Sequence, residues 1–375
     1  MDESSISDEA FKVVNVLQSI MLRVSFETLV ECLQVCKKWR TAILDEGFKQ
    51  NFLRQSKARR RVLFQYNSQP PERLFQSVSQ EKPPLLHSKR QLRINSDEDL
   101  EMVSEPQQGV VCFSRENQFI LCNLGTKKSK ILPKPEGQRG FSFFGYDDAG
   151  GVFKLLTVPY VNVARGRGRT PIPPPLPLLL TVKLTEEEES WRSVDALSYT
   201  PLTPSVCING VLHFGARSFV DPNKYKVVTF NLGSERFGLI DLPDELQINP
   251  VVDRLVKYRG TACLVKYDNC FDLPDGKRVY RLFVKEENEE KLSPILVQIP
   301  GWRNVAGNLA FDFTGTTEED EELVFAASSV GIDGYHYVIY FNSETELLTK
   351  IKIDGGSSGD DVVTEIDHFD SLLLT

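Results

Sequence analysis

The chain has 375 residues, a length typical of two or three domains rather than of one small core. Its 44 lysines and arginines against 52 aspartates and glutamates give a net charge of −8, the wrong sign for a protein that wraps a nucleic-acid backbone. The longest apolar run, 176–184, is interrupted by Pro177 and Lys183 and is too short to cross a bilayer. We therefore expect neither a nucleic-acid nor a membrane partner.

The N-terminus and the cysteines indicate the compartment. The chain begins with the acidic, polar residues Met1-Asp2-Glu3, without a basic stretch followed by an apolar one, so we expect no secretory signal and a location in the nucleus, the cytoplasm or both. Seven cysteines without a Cys-x-x-Cys pair are interpreted as reduced core thiols. The four histidines lie far apart in the sequence, so no metal site and no cofactor are predicted.

Two glycine-rich stretches partly match known motifs, one for a serine nucleophile and one for phosphate binding, but neither has the structural context that its motif requires. Residues 355–359 read Gly-Gly-Ser-Ser-Gly, but a serine nucleophile needs a strained strand-to-helix turn, and here aspartates flank a segment between two extended ones. Residues 166–169 lack the third glycine and the preceding strand of a phosphate-binding turn. Both are predicted to be loops, and no catalytic residue is predicted.

Helical periodicity is confined to the N-terminal region. Apolar residues recur every three or four positions between Val13 and Val24, which predicts a helix over about 8–23. Ser25 is placed to cap a second helix, with Val24 and Leu29 on either side of its first turn. The first two helices are therefore expected to follow each other directly.

Two further apolar stripes complete the helical region. Trp39 and Ile43 belong to a third helical segment that we expect to end at Gly47, and Phe48 opens a fourth stripe. The sequence therefore predicts a small helical domain over residues 8–58.

Two motifs repeat in the strand-rich remainder. The first is an Asn-containing segment centred on Asn123, Asn231 and Asn342, which lie 108 and 111 residues apart. The second is a five-residue segment that begins with glycine and ends with Phe or Leu, and it occurs at Gly109, Gly210, Gly260 and Gly307 with spacings of 101, 50 and 47 residues. A period of about 50 residues in strand-rich sequence is typical of a kelch-like β-propeller.

The repeats predict five units, or six if the two ends of the domain combine. The gap between the first two glycines holds one further unit, with strands over 141–146, 151–158 and 179–184 and near Trp191. A sixth unit requires 62–64 to join the C-terminal segment. The predicted fold is mainly β: a three-helix domain followed over 59–375 by a kelch-like β-propeller or propeller-like repeat domain.

One insertion interrupts this pattern of strand-rich repeats. Residues 162–177 contain alternating arginine and glycine followed by five of the 21 prolines. The segment is predicted to be an exposed loop, either a spacer within one unit or a polyproline ligand for an aromatic groove.

The helical region resembles an F-box, the motif that docks on a Skp-type adaptor. The resemblance is carried by residues 29–40, Leu-Val-Glu-Cys-Leu-Gln-Val-Cys-Lys-Lys-Trp-Arg. The strand-rich region is similar to the F-box-associated interaction domain of large plant families. Its counterparts lie at 61–64, 144–147, 153–156, 191–192, 210–213 and 237–243.

This resemblance implies a non-catalytic function. The protein would be the substrate-recognition subunit of an SCF-type E3 ubiquitin ligase, with a Skp-type adaptor and through it a cullin as partners, and with an unknown target protein held by the β domain. The residues implied to contact the adaptor are Val16, Ile20, Met21, Val24, Leu29, Val35, Cys36 and Lys37, for which core packing is the competing interpretation. Trp39 is expected to anchor the helices internally.

Two alternatives remain open from the sequence. The family usually has a proline near the start of the first F-box helix and another between helices one and two, where this chain has Lys12-Val13 and Ser25. The first alternative is therefore a non-catalytic scaffold whose F-box has degenerated. The second is an enzyme on a propeller, which the lack of clustered histidines or repeated carboxylates disfavours.

Overall fold

The N-terminal part of the molecule is a compact group of helices. The computed structural model describes residues 14–67, 72–80, 90–95, 100–137, 139–160, 175–183, 189–244, 246–266, 270–285, 289–317 and 321–374. The helices near the N-terminus are α1, described over 14–21, α2 (Phe26–Val35), α3 (Lys37–Leu44) and α4 (Glu46–Lys57). The start predicted for the first helix, 8–13, lies outside the described residues.

Local capping explains where two of these helices begin. Ser25 is the N-cap of α2, and its hydroxyl accepts a hydrogen bond of 3.2 Å from the Thr28 amide. Asp45 caps α4 by accepting from the Phe48 amide at 3.1 Å. The prediction that Gly47 ends the third helix is wrong, because α3 ends at Leu44 and Gly47 lies in the first turn of α4.

Six antiparallel sheets follow, and each forms one blade around a central axis. Blade 1 consists, from the inner edge outwards, of β26 (Asp361–His368), β1 (Arg61–Asn67), β2 (Glu72–Ser79) and β3 (Arg90–Asn95). Blade 2 consists of β4 (Glu101–Met102), β5 (Val111–Ser114), β6 (Gln118–Asn123) and β7 (Lys128–Pro133). Blade 3 consists of β8 (Gly140–Asp147), β9 (Val152–Pro159), β10 (Leu178–Val182) and β11 (Arg192–Ser193).

Blades 4 to 6 complete the ring. Blade 4 consists of β12 (Tyr199–Pro201) and β13 (Val206–Ile208), both paired with β14 (Val211–Ser218), then β15 (Tyr225–Asn231) and β16 (Arg236–Asp241). Blade 5 consists of β17 (Arg254–Tyr258), β18 (Thr261–Val265), β20 (Arg278–Lys285) and β21 (Leu292–Ile299), with the short β19 (Phe271–Asp272) beside β20. After α5 (Trp302–Ala306), blade 6 consists of β22 (Phe311–Thr316), β23 (Leu323–Ala327), β24 (Tyr335–Asn342) and β25 (Leu347–Asp354).

The predicted mainly β fold with an N-terminal helical region is confirmed, as a six-bladed propeller. The sixth unit forms as the sequence suggested, because the C-terminal strand β26 pairs with β1 from Arg61↔His368 to Asn67↔Asp361. The ring is thus closed by strands from opposite ends of the domain, and β1 is paired on both sides, with β26 and β2.

The repeated glycines mark tight turns between the first two strands of a blade. Gln108-Gly109, Asn209-Gly210 and Arg259-Gly260 each have positive φ at both residues, the two-residue turn that matches strand twist. Gly307 does not belong to this set, because it follows α5 and precedes the innermost strand β22. The motif at Gly307 therefore lies one strand earlier in its blade than the other three motifs do.

The repeated asparagines mark the turn between the third and fourth strands. The side-chain oxygen of Asn123 accepts from the amides of Gly125 and Thr126, and that of Asn342 accepts from Glu344 and Thr345. Such side-chain turns are local, which explains why the same short sequence recurs at the same place in blades 2, 4 and 6.

The core lies between neighbouring blades. Buried apolar clusters fill each of the six junctions, from blades 1 and 2 around to blades 6 and 1. In one of them Phe143 of blade 3 stacks on Phe214 of blade 4 at 4.4 Å between ring centroids. One sheet cannot bury both faces alone, so the blades stabilise one another.

Candidate functional site

The propeller presents two different ends. The turns between strands one and two and between strands three and four of blade 2 lie against the helices and the C-terminus, since Gly125 contacts Phe26 and Gly109 contacts Ser371. We call this end the helical face. The opposite end, which we call the free face, carries the loops between strands two and three and the connections between blades.

The residues that the resemblance assigned to adaptor contact divide by burial. Five of them project into solvent: Val16, Ile20, Val35, Cys36 and Lys37. Met21 and Leu29 lie in the core of the helical region, where they are 2% and 0% exposed, and Val24 packs against that core. Only the exposed residues are available to a partner in this arrangement.

Several apolar side chains of α1 and α2 are exposed to solvent. Val16, Ile20 and Val35 are 60%, 55% and 60% exposed, whereas other apolar side chains of the same helices lie in a buried core. Trp39 packs against that core, as expected. Exposed apolar side chains that no part of the described chain covers are typical of a protein-binding surface.

A second set of exposed apolar side chains lies on the free face. Its members come from loops of four different blades and from the connection between blades 4 and 5: Tyr160, Leu176, Val220, Val251, Phe271 and Ile332. They are distant in sequence and are brought to one end only by the ring. Sequence periodicity cannot find them, because they lie in loops or in the short β19, outside the repeating strand pattern.

The described flanks of the predicted arginine- and proline-rich loop, Tyr160 and Pro175–Pro177, belong to the free face. They adjoin β9 and β10 of blade 3. Residues 161–174, which include the arginines, lie outside the described residues.

The axis of the propeller contains a cavity of about 1150 Å³ lined largely by the inner strands. Glu105 of blade 2 spans part of it, because its carboxylate accepts a 2.7 Å hydrogen bond from the Cys207 amide of blade 4. Burial raises the pKa of Glu105 to about 7. The hydrogen bond from Cys207 and the charge of Lys257 act in the opposite direction and lower this pKa.

A second carboxyl faces the first in the cavity. Burial and the nearby charge of Glu105 raise the pKa of Glu365 to about 8, and the charge of Arg254 opposes this. Neither glutamate belongs to a repeated motif, so the sequence analysis missed both. They are near each other only because the ring closes.

The two raised pKa values predict a pH-dependent stability. Both carboxyls hold protons in the folded chain that they release when unfolded, so their contribution to the free energy of unfolding falls as the pH rises from about 5 to 8. We expect Glu365→Gln to be more stable than the wild type by about 1–2 kcal/mol at pH 8, and this difference to disappear near pH 5. Urea unfolding at both pH values measures it, with exposed Glu344→Gln as the control. A Glu365→Gln chain no more stable than the wild type at pH 8 contradicts this expectation.

Among the described residues, no group of three or more His, Cys, Asp or Glu side chains is arranged to hold a metal ion. All seven cysteines are free thiols. The Gly355–Gly359 segment lies in the connection between β25 and β26. Across the described parts of the chain, every helix is too short or too polar to cross a membrane.

The helical region and the propeller together define the class of the protein. Residues 13–51 match the family described as "F-box domain", and residues 61–371 match the family described as "F-box associated beta propeller domain". The chain therefore belongs to the F-box proteins with an associated β-propeller. The kelch-like detail of the sequence analysis stays a prediction.

Similar proteins in Arabidopsis thaliana match nearly the whole chain. The F-box protein At1g70970 is 33% identical over 405 residues, which cover 98% of this chain and 99% of that protein. The F-box protein At1g70380 is 35% identical over 368 residues, covering 95% and 96%. Among solved structures, the WD40 domain of SCAP from fission yeast matches 79% of this chain and 92% of that chain at 8% identity and a TM-score of 0.38.

Proposed function

We propose that the protein is the non-catalytic substrate-recognition subunit of an SCF-type E3 ubiquitin ligase. The F-box binds a Skp-type adaptor and through it a cullin, while the propeller holds a target protein for ubiquitination. The observation that carries the proposal is the exposed apolar surface on α1 and α2 of a domain that belongs to the F-box family. A surface of this kind fits a partner protein rather than a small substrate.

The adaptor surface that we propose is smaller than the set implied by the sequence. Val16, Ile20 and Val35 form its apolar part, and Cys36 and Lys37 lie beside Val35 where α2 ends and α3 begins. Met21 and Leu29 are left out because their side chains support the helices from inside. Val24 lies at the boundary between the two groups.

The free face is the proposed site for the target. Loops on a rigid scaffold are where recognition residues concentrate, and the free face combines loops from several blades with exposed apolar side chains such as Val251 and Ile332. Because the helical face is occupied by the F-box, adaptor and target are expected to bind at opposite ends. We further propose that the protein acts in the nucleus, the cytoplasm or both, where its seven cysteines remain reduced.

Calorimetry with a purified Skp-type adaptor and the full chain tests this function. We expect a dissociation constant of about 1 µM or lower for the wild type and at least about 100-fold weaker binding for Ile20→Asp combined with Val35→Asp, because each aspartate places an unpaired charge in an apolar contact. Both side chains are exposed, so the variant should fold. The matched control is Val220→Asp combined with Ile332→Asp on the free face, which should bind as the wild type does.

Two results would count against the proposal. Absence of binding at tens of micromolar (on the order of 10⁻⁵ M) by a folded wild-type chain would favour a scaffold with a degenerate F-box. Unchanged binding by the Ile20→Asp and Val35→Asp chain would place the adaptor elsewhere.

A further inference from the structure

The last described residues of the chain connect three parts of the molecule. Residues 369–374, which we call the C-terminal clamp, follow the closing strand β26 and lie between the F-box and blade 2. They are distant in sequence from everything they contact. The sequence offered one signal, the apolar run Leu372-Leu373-Leu374, which the repeat pattern did not absorb.

The clamp completes the core of the F-box. Leu372 is 5% exposed and belongs to the same buried cluster as Met21, Phe26 and Leu29. Phe369 lies under two cations of the F-box end, with the Lys57 ammonium 5.6 Å and the Arg60 guanidinium 5.4 Å from its ring centroid. A helical unit of this size has little interior of its own, so an added leucine is a substantial part of it.

Hydrogen bonds hold the same segment on blade 2. The side-chain amide of Asn123 donates to the carbonyl oxygens of Ser371 and Leu373, both at 2.7 Å. The hydroxyl of Thr126 donates to the carbonyl of Leu374 at 3.0 Å. Leu373 and Leu374 also pack against the core between blades 2 and 3. Asn123 therefore has two roles, since its oxygen forms the turn and its amide holds the clamp.

Close backbone approach confirms that the parts are in direct contact. A Cβ atom at Gly125 would lie 2.2 Å from Cε1 of Phe26, so blade 2 accepts the ring of α2 only because residue 125 has no side chain. A Cβ atom at Gly109, which has a φ of +75°, would lie 2.6 Å from Cβ of Ser371. No layer of water or side chains separates the F-box, the clamp and blade 2 at these points.

We propose that the C-terminal clamp fixes the F-box in one orientation on the propeller, with Asn123 as the positioning residue. Domains joined by a short linker move relative to each other unless an apolar interface prevents it, and Leu372 supplies that interface. If the proposed function holds, the clamp sets the distance between a bound adaptor and a target on the free face. The orientation itself is a property of the chain alone.

The test compares two asparagines that form the same turn. Asn123→Asp keeps the oxygen that accepts from the turn amides but cannot donate to the carbonyls of Ser371 and Leu373. Asn342→Asp is the matched control, because Asn342 forms the equivalent turn in blade 6, away from the clamp. Leu372→Ala weakens the clamp from the F-box side.

The orientation is measured by pulsed electron paramagnetic resonance between two spin labels. One is on native Cys36, the exposed one of the seven cysteines, and the other is on Ile332→Cys at the free face. We expect one narrow distance distribution for the wild type and Asn342→Asp, and a distribution at least about twice as broad for Asn123→Asp and Leu372→Ala, because two hydrogen bonds or a buried leucine are lost.

Each outcome decides one question. A narrow distribution for Asn123→Asp and Leu372→Ala overturns the proposal, as does a broad one for the wild type. Adaptor affinity of the same variants is measured in parallel on unlabelled chains, because Cys36 belongs to the proposed adaptor surface. The affinity should be unchanged, since Val16, Ile20 and Val35 are exposed side chains outside the buried cluster that Leu372 joins, and unchanged affinity also shows that the F-box of each variant is folded. If the wild type binds the adaptor weakly but shows a narrow distance distribution, the result contradicts the ligase function and still supports the proposed role of the C-terminal clamp.

Discussion

A chain that ends at Gly359 is expected to lose the folded propeller, since β26 is the inner strand of blade 1. Its removal breaks the ladder with β1 and exposes the cluster between blades 1 and 6 that contains Val362. It also removes the Val362 amide that donates to the Ser328 carbonyl of blade 6. A domain is stable by only about 5–15 kcal/mol, so losing a central strand should abolish the cooperative unfolding transition.

Circular dichroism and urea unfolding measure this effect. A chain that ends at His368 is the control, because it keeps β26 and loses only the C-terminal clamp; it should retain a cooperative propeller transition. Adding a peptide of residues 360–375 to the shorter chain should restore part of the transition by strand addition. A chain ending at Gly359 that unfolds like the wild type would show that the ring does not depend on its C-terminal strand.

Lys154→Met is expected to lower the free energy of unfolding by about 3–5 kcal/mol. Lys154 is 5% exposed, and its ammonium donates to Asp147 at 3.2 Å and to Glu235 at 3.0 Å. It also donates to the Leu232 carbonyl and so joins blades 3 and 4. Methionine fills similar space but leaves the buried carboxylate of Asp147 without its cation.

The pKa of Asp147 supports this expectation. Burial acts to raise it, but hydrogen bonds from the Gly150 amide and Lys154 outweigh burial and hold the pKa below its ordinary value. A lowered carboxyl pKa contributes stability above the unfolded pKa of about 4, and this contribution is lost as the pH falls through the folded value. The loss on Lys154→Met should therefore be large at pH 7 and smaller in acid.

Two further chains make this measurement specific. Lys154→Met combined with Asp147→Asn removes the uncompensated charge and should recover at least about half of the loss, which a double-mutant cycle quantifies. Lys277→Met removes the cation of an exposed pair with Asp275 and should leave the urea midpoint unchanged. An equally small effect for Lys154→Met would mean that the buried cluster contributes nothing to blade packing.

The C-terminus combines two tasks in one short segment. β26 closes the ring, and the C-terminal clamp that follows it enters the core of the F-box through Leu372. Ring closure and F-box placement are thus linked through one segment, because the clamp that contacts the F-box directly follows the strand that pairs with β1. The chain that ends at His368 separates the two tasks experimentally.

Local signals explain what could be predicted from the amino-acid sequence. The turn built by Asn123 depends on atoms within three residues, so it recurs as a readable motif, and Ser25 caps α2 for the same reason. Gly307 and Gly47 show the limit of such signals. Both are glycines, the residue type expected at the predicted turn or helix end. However, Gly307 follows α5 and Gly47 lies within the first turn of α4, because the neighbouring residues decide which secondary structure forms there.

The distinction between core and surface in the F-box required the tertiary structure. Helical periodicity places Ile20, Met21 and Leu29 in apolar stripes, yet Ile20 is exposed while Met21 and Leu29 are buried. A helix with two apolar faces can bury either one, and the choice depends on what packs against it. Here Leu372, more than 300 residues away, belongs to the core that includes Met21 and Leu29.

By itself the sequence determined the class of the molecule: a helical F-box followed by a strand-rich repeat domain, without an assembled catalytic motif. These features are carried by periodicities and turns that act over a few residues. Only the tertiary structure decided that there are six blades, that Glu105 and Glu365 face one axial cavity, and that Asn123 holds the C-terminus against the F-box. Each of these depends on ring closure, which brings together residues whose separation along the chain leaves no local trace.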